Sequence, residues 1–228
     1  MPKGTKAIKV TDIKADKPWL KKIGVYKYPV ESLDKKKRFL IVCEGQTEEL
    51  YFKSFPVVTA DIKPVHQGSS KSDLVACTHA YAEGEDYDEI WCVFDMDFKP
   101  GHNKQYEDYN NAINAAQDAG YKCAYSNDAF ELWFVLHYQY VDQEQERTFF
   151  YKILSNYWNL NYEKHGKARA FSQSVYNRLL NDSKASQQSA INNARKLFED
   201  QKDKSYHLQN PVTTVFILVE ELNLHLRK

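Results

Sequence analysis

Four carboxylates, at two places in the chain, have the spacing of a metal site. Glu44 closes the apolar run RFLIVC, and Glu48 follows it by four residues. Asp95 and Asp97 close the run EIWCVF as Asp95-Met96-Asp97. Carboxylates gathered at one point repel one another unless a cation neutralises them. An all-oxygen donor set suits Mg²⁺ or Mn²⁺ better than metals that favour nitrogen or sulfur. Alternate residues of an extended segment point the same way, so Asp95 and Asp97 present two acids to one side with Met96 turned to the other. A lone DxD or a Glu-Gly turn is commonplace. The conjunction of both, each following a buried strand, points to one divalent-metal site built from Glu44, Glu48, Asp95 and Asp97.

A parallel sheet would bring these residues together. Arg38 to Cys43 and Glu89 to Phe94 are continuous apolar runs, the signature of strands buried on both faces. Ile62 to Val65 reads as an edge strand that tolerates Pro64, and Tyr121 to Tyr125 as a fourth strand. Helical stretches alternate with them: one from Thr47 as N-cap, one from Ser72-Asp73 to about Glu83, and one from Asn103 to Ala119 closed by Gly120. This alternation predicts an α/β fold with a mostly parallel four-stranded sheet flanked by helices. Ligands of such sheets gather outside the carboxyl ends of the strands. Neighbouring strands are about 4.8 Å apart, so Glu44 and the Asp95-Asp97 pair can reach a shared ion. From Gln143 onward the pattern is helical: Glu144 to Tyr157, Ala170 to Leu180, Gln187 to Gln201 and Thr213 to Leu226. The expected organisation is a basic arm over 1–37, an α/β domain over 38–140 and a helical appendage over 141–228.

The chain of 228 residues has 31 Lys plus Arg and 31 Asp plus Glu, which argues against a uniformly basic nucleic-acid binder. The charges are unevenly placed. Residues 1–38 hold twelve basic and four acidic residues, a local +8, and leave −8 on the remainder. The arm suits a solvated extension or a tracker of phosphates. Cys43, Cys77, Cys92 and Cys123 form no close pairs, so neither a disulfide framework nor a zinc site is indicated. With no signal-peptide stretch and no spanning run, the expected location is cytoplasmic, away from membranes.

The ordered segments EGQTEELYF and VFDMD resemble the Toprim fold of topoisomerases, primases and OLD-type nucleases. SNDAFELWFVLHY and NPVTTVFILVEEL look like signature segments of the RloB-like family, which includes abortive-infection proteins of the AbiLii type. The resemblance spans roughly Arg38 to Glu221. It implies that Glu44 is the Toprim glutamate, that Asp95 and Asp97 are the DxD metal motif, and that Glu48 is the second acid of the EGxTE pattern. It further implies bacterial anti-phage defence, metal-dependent cleavage of DNA or RNA, and an AAA-type ATPase partner encoded nearby. The chain carries no GxxxxGK[ST] phosphate-binding loop of its own. Asp95, Asp97 and Glu48 would be ligands, and Glu44 a ligand or general acid/base. The alternative function is a non-catalytic adaptor or sensor for that ATPase. A DxD nucleotide-sugar transferase leaves EGxTE unexplained, and a haloacid dehalogenase needs Asp where Glu44 stands.

Secondary candidates cluster nearby. Ser126 and Glu131 follow the fourth strand and would extend the same mouth, although Ser126 to Asp128 could simply cap the next helix. Lys99 and His102 follow the DxD and could meet a phosphate. Lys164, Lys167 and Arg169, with His165 among them, form a basic segment that could hold a backbone beside Tyr162 as a stacking ring, or a solvated loop. His137, one turn after Trp133, reads as a packing histidine rather than a ligand.

Overall fold

Five consecutive apolar residues can form a strand only if both faces of its sheet are covered. In the computed structural model all five residues of β1, Phe39–Cys43, are buried. The structure describes residues 36–65, 70–99, 101–102 and 104–227. The basic arm expected over 1–37 therefore lies outside the described residues as far as residue 35.

The elements in order are β1, α1 (Gln46–Lys53), β2 (Ala60–Pro64), α2 (Lys71–Ala82), β3 (Glu89–Asp95), α3 (Gln105–Asp118) and β4 (Lys122–Asn127). Then follow α4 (Glu131–Leu136), α5 (Arg147–Trp158), α6 (Tyr162–His165), α7 (Arg169–Asn181), α8 (Gln187–Gln201), β5 (Val212–Thr213) and α9 (Val215–Asn223). The sheet order is β2-β1-β3-β4-β5. β2, β1, β3 and β4 are mutually parallel, and β5 runs antiparallel to β4.

Alternation along β1 divides the core. Phe39, Ile41 and Cys43 face a cluster shared with α1, α4 and the C-terminal helices, where Leu154, Val175, Leu197 and Leu218 pack. Leu40 and Val42 face Leu74 of α2 and Tyr109 and Ile113 of α3. Both faces of β1, and of β3 from Trp91 to Phe94, are thereby dry, as their unbroken apolar runs require. Lys36–Lys228 forms one compact unit. Among the described residues no helix is long and apolar enough to cross a membrane.

The α/β class and the parallel strands agree with expectation, and the strand count does not. The expected last helix from Thr213 to Leu226 begins two residues later, because Val212 and Thr213 form a fifth strand. β-branched residues favour extended backbone, and the exposed ladder groups of β4 need a partner. Thr214 supplies more of the same cover: its Oγ1 accepts the Tyr125 N–H at 2.8 Å and its own N–H donates to the Tyr125 carbonyl at 2.8 Å. A two-residue strand is too short to show periodicity. Helix starts also move, α3 to Gln105 and α5 to Arg147 among them. α1 is capped by Gly45 rather than Thr47, and α2 starts at Lys71 behind a capping box between Ser70 and Asp73.

His137 lies just past α4 and is 3 % exposed, its ring edge-on to Trp133 at 4.9 Å and its Nδ1 2.9 Å from the Trp133 carbonyl. This is the packing role expected of it. Burial depresses its pKa to about 4, against an ordinary 6.5. A depressed folded-state pKa contributes stability that is complete above about pH 6.5 and is lost as pH falls towards 4. Between pH 7 and pH 5 the wild type should lose about 2 kcal/mol more unfolding free energy than His137→Gln, as read by urea denaturation. Parallel pH profiles for the two proteins would contradict this role.

Candidate functional site

Because β1 and β3 are adjacent and parallel, with Cys43 opposite Val93, their carboxyl ends open on one edge of the sheet. Glu44 leaves β1 with its N–H on the Val93 carbonyl at 3.1 Å. A cleft of about 600 Å³ opens there, lined by Glu44, Glu48, Asp95, Asp97 and Glu131 together with Lys99, Arg147 and Lys167. The strand ends thus bring all four principal acids and Glu131 to one cavity.

Local sequence explains their placement. Gly45 and the helix start at Gln46 put Glu48 in the first turn of α1, and a Cβ on Gly45 would collide with the Glu48 carboxylate. The glycine is therefore the surface against which Glu48 folds back. Asp97 adopts φ 49, a left-handed conformation that Asp tolerates better than most residues. This turns the chain out of β3 while Met96 stays 1 % exposed in the opposite core. Glu131 begins α4 at 2 % exposure; its Oε1 accepts the Tyr162 hydroxyl at 3.1 Å and lies 3.7 Å from Lys167 Nζ.

The electrostatics are those of crowded, desolvated acids. Burial, and then the charge of Asp95, push the Glu48 carboxyl well above the usual range, with Glu131 and Glu44 adding to the rise. Glu44 is raised by burial and Asp95 against the pull of Lys71. Burial raises Glu131 in spite of Lys167. Lys167 is itself raised: burial opposes its charge, but Glu131 and Tyr151 outweigh that.

Cations draw the carboxylates apart. Lys71 Nζ holds both Glu44 oxygens at 2.8 and 2.9 Å, Lys99 Nζ reaches Asp97 at 3.0 Å, and Arg147 Nη1 pairs with the other Asp97 oxygen. Among the described residues no three carboxylate, imidazole or thiol side chains are gathered closely enough to hold an ion as they stand. The donor chemistry nonetheless fits a hard divalent cation. The donors are all oxygen, they are largely desolvated, and among the described residues no ion pair reaches Glu48.

The secondary candidates divide. Lys99, Lys167 and Glu131 line the cleft, whereas Ser126 does not: it lies inside β4 at 0 % exposure with its hydroxyl 2.8 Å from Thr213 Oγ1. His102, Lys164 and Arg169 are exposed and outside the cleft lining. Tyr162, suggested as a stacking ring, is fully buried, because Gly166 lies flat against it and Tyr151, Trp158 and Phe171 surround it. The segment expected as a loop at Lys164 is the helical turn α6.

Sequence reasoning passed over Lys71 and Arg147. Each is the first residue of a helix. Lys71 follows a parallel strand, and a helix that follows such a strand starts on the strands' carboxyl side. That topological signal was available once α2 was begun one residue earlier. Nothing comparable marks Arg147, whose approach depends on the long connection after α4.

The fold and cleft define a class: an α/β protein with an acidic, cation-rimmed site at the carboxyl ends of parallel strands. A family model described as RloB-like protein matches residues 39–222, and the chain belongs to the RloB-like family. No curated protein and no solved structure matches it.

Gly45→Ala tests the link between this turn and the cleft. Gly45 has φ −114 and ψ 161, which alanine adopts freely, and the displaced atoms are the end of a flexible side chain. Thermal unfolding should change by no more than about 0.5 kcal/mol. Mn²⁺ affinity, measured by calorimetric titration, should fall about tenfold or more as Glu48 is expelled. A large stability loss, or unchanged Mn²⁺ binding, would contradict the assignment.

Proposed function

We propose that the protein is a Toprim-type, Mg²⁺- or Mn²⁺-dependent nuclease that hydrolyses phosphodiester bonds of DNA or RNA in anti-phage defence. The observation that carries this reading is the pairing of opposites in one cleft. Buried Glu48 and Glu131 and half-buried Glu44, which repel one another, lie beside Asp95 and Asp97, and Lys99, Arg147 and Lys167 share the lining. Acids of that kind call for a divalent cation, and basic side chains among them suit a phosphate that approaches it. The RloB-like family match supports the same reading.

Glu48, Asp95 and Asp97 would hold the metal, with Glu44 as a further ligand or the general acid/base. When bound, the ion supplies Lewis acidity at the phosphate and a water of lowered pKa. The chain's own groups do the remainder. Arg147 and Lys99, now engaged by Asp97, are placed to orient the scissile phosphate once that carboxylate turns to a ligand role. Lys71 fixes the Glu44 carboxylate in one orientation. Glu131, kept neutral more readily than an ordinary carboxyl, can hold a proton at Oε2 while Tyr162 and Lys167 anchor Oε1.

A second reading keeps the cleft non-catalytic, in an adaptor or sensor for an AAA-type ATPase. The ion pairs that already satisfy Glu44 and Asp97 favour it.

Incubation of the purified protein with labelled single- and double-stranded DNA and RNA separates the two readings. Cleavage is expected with Mn²⁺ and not with EDTA, and Glu44→Ala or Asp95→Ala should lower its rate by about a hundredfold or more with the fold retained. Mn²⁺-dependent cleavage that survives in both variants would overturn the site. No cleavage of any substrate, with or without the neighbouring ATPase, would favour the adaptor.

A further inference from the structure

Next to the acidic cleft the chain exposes aromatic surface in an ordered form. Phe98 and Tyr106 are 36 % and 39 % exposed, and their rings stack at 5.6 Å with 19° between planes. The His207 ring extends the row, 5.1 Å from Tyr106. Together they border a second cavity of about 330 Å³. Exposed rings held in a row are the platform on which an unpaired base stacks, since every base has a π-face.

The walls of this cavity are rich in acceptors. Glu144 and Glu146 add two exposed carboxylates. Asp128 is already engaged: its Oδ1 takes the Phe98 N–H at 2.8 Å and its Oδ2 the Arg147 N–H at 3.2 Å. It therefore braces the wall and is not available to a ligand. Carboxylates repel phosphate but accept from N–H groups. Guanine is the base whose pairing edge sets an N1–H beside an amino group, two donors that one carboxylate can take together. Adenine and cytosine offer one amino group next to an acceptor, and thymine and uracil a single N–H between two carbonyls.

The two cavities share a wall. Phe98 directly follows Asp97, and Asp128 ties the Phe98 backbone to that of Arg147, whose side chain pairs with Asp97 in the cleft. A nucleotide whose phosphate lies at Arg147 and Lys99 has the Phe98 and Tyr106 rings within reach of its base. We propose that this second cavity receives an unstacked guanine from a single-stranded or locally opened nucleic acid whose backbone lies in the acidic cleft. The proposal deepens the nuclease reading and rests on it for the position of the backbone.

Binding tests it without cleavage. Fluorescence anisotropy of the full chain, with Ca²⁺ in place of Mn²⁺, would compare labelled single-stranded pentanucleotides carrying one central guanine, adenine or cytosine in a thymine or uracil background. The guanine oligonucleotide should bind about tenfold more tightly than the others, and Phe98→Ala or Tyr106→Ala should cost about tenfold. Phe98→Leu, which fills space but cannot stack, should behave like Phe98→Ala. The double change Glu144→Gln with Glu146→Gln should remove the guanine preference and leave background binding. Free GMP should compete more weakly than the guanine pentanucleotide; equal competition would make a free nucleotide the occupant and overturn the strand claim. Equal affinity for all bases, or indifference to both ring substitutions, would also overturn the proposal. Base-blind binding with Mn²⁺-dependent cleavage intact sinks this inference alone, whereas guanine-selective binding with no cleavage sinks the nuclease reading alone.

Discussion

A carboxylate removed from water is costly unless something replaces its hydration. Glu48 is 4 % exposed, it stands beside Asp95, Glu131 and Glu44, and among the described residues no ion pair reaches it. The rest of the cleft follows from keeping that group in place. Gly45 must lack a side chain so that Glu48 can fold back. α1 must begin close behind β1 so that Glu48 stands in its first turn, at the positive end of the helix dipole. β1 and β3 must be neighbours so that Glu44 and Asp95 share an edge. Nothing in the packing of α1 needs an acid at this position. Its apolar residues Leu50, Tyr51 and Phe52 already anchor the helix.

The C-terminal half of the chain takes part in this arrangement. Val212 and Thr213 close the sheet against β4, and Tyr162 and Lys167 orient and partly neutralise Glu131. Arg147, from the start of α5, spans Asp97 and Asp128. The segments after α4 thus supply Arg147, Lys167 and the Tyr162 hydroxyl beside Lys71 and Lys99 of the N-terminal half, and their helices share the core cluster that contains Phe39 and Ile41. The arrangement is one of acids and cations paired directly across a rigid scaffold, with Glu48 left outside the ion pairs among the described residues.

Much of this was legible in the sequence because the chemistry coincides with strand ends. Unbroken apolar runs identified β1 and β3, and the acids that terminate them could only lie at the carboxyl edge of the sheet. Residue types and motif order also led to the RloB-like family. Long-range partners were less visible. Arg147 reaches Asp97, and Tyr162 reaches Glu131 from within the core, through connections with no local signature, and β5 is two residues long, below the length at which alternation can be read. Ser126 showed the reverse error. Its place near the strand ends suggested the cleft, but the fifth strand claims its hydroxyl. Tyr162 followed the same pattern, since a tyrosine beside lysines reads as a nucleic-acid platform until the glycine that seals it into the core is placed.

The central claim is that the cleft acids, Glu48 foremost, are held against their own electrostatic preference for the sake of a divalent cation. Thermal unfolding of the wild type and Glu48→Gln at pH 8, with EDTA and with Mn²⁺, addresses it directly, because a ligand that binds only the folded state raises its stability. Without metal, Glu48→Gln should melt at a higher temperature than the wild type, since a carboxyl that burial and Asp95 make costly to ionise in the folded state is gone. With Mn²⁺ the wild type should gain more than the variant. A variant that melts lower without metal, together with an equal Mn²⁺ response in both proteins, would contradict the account.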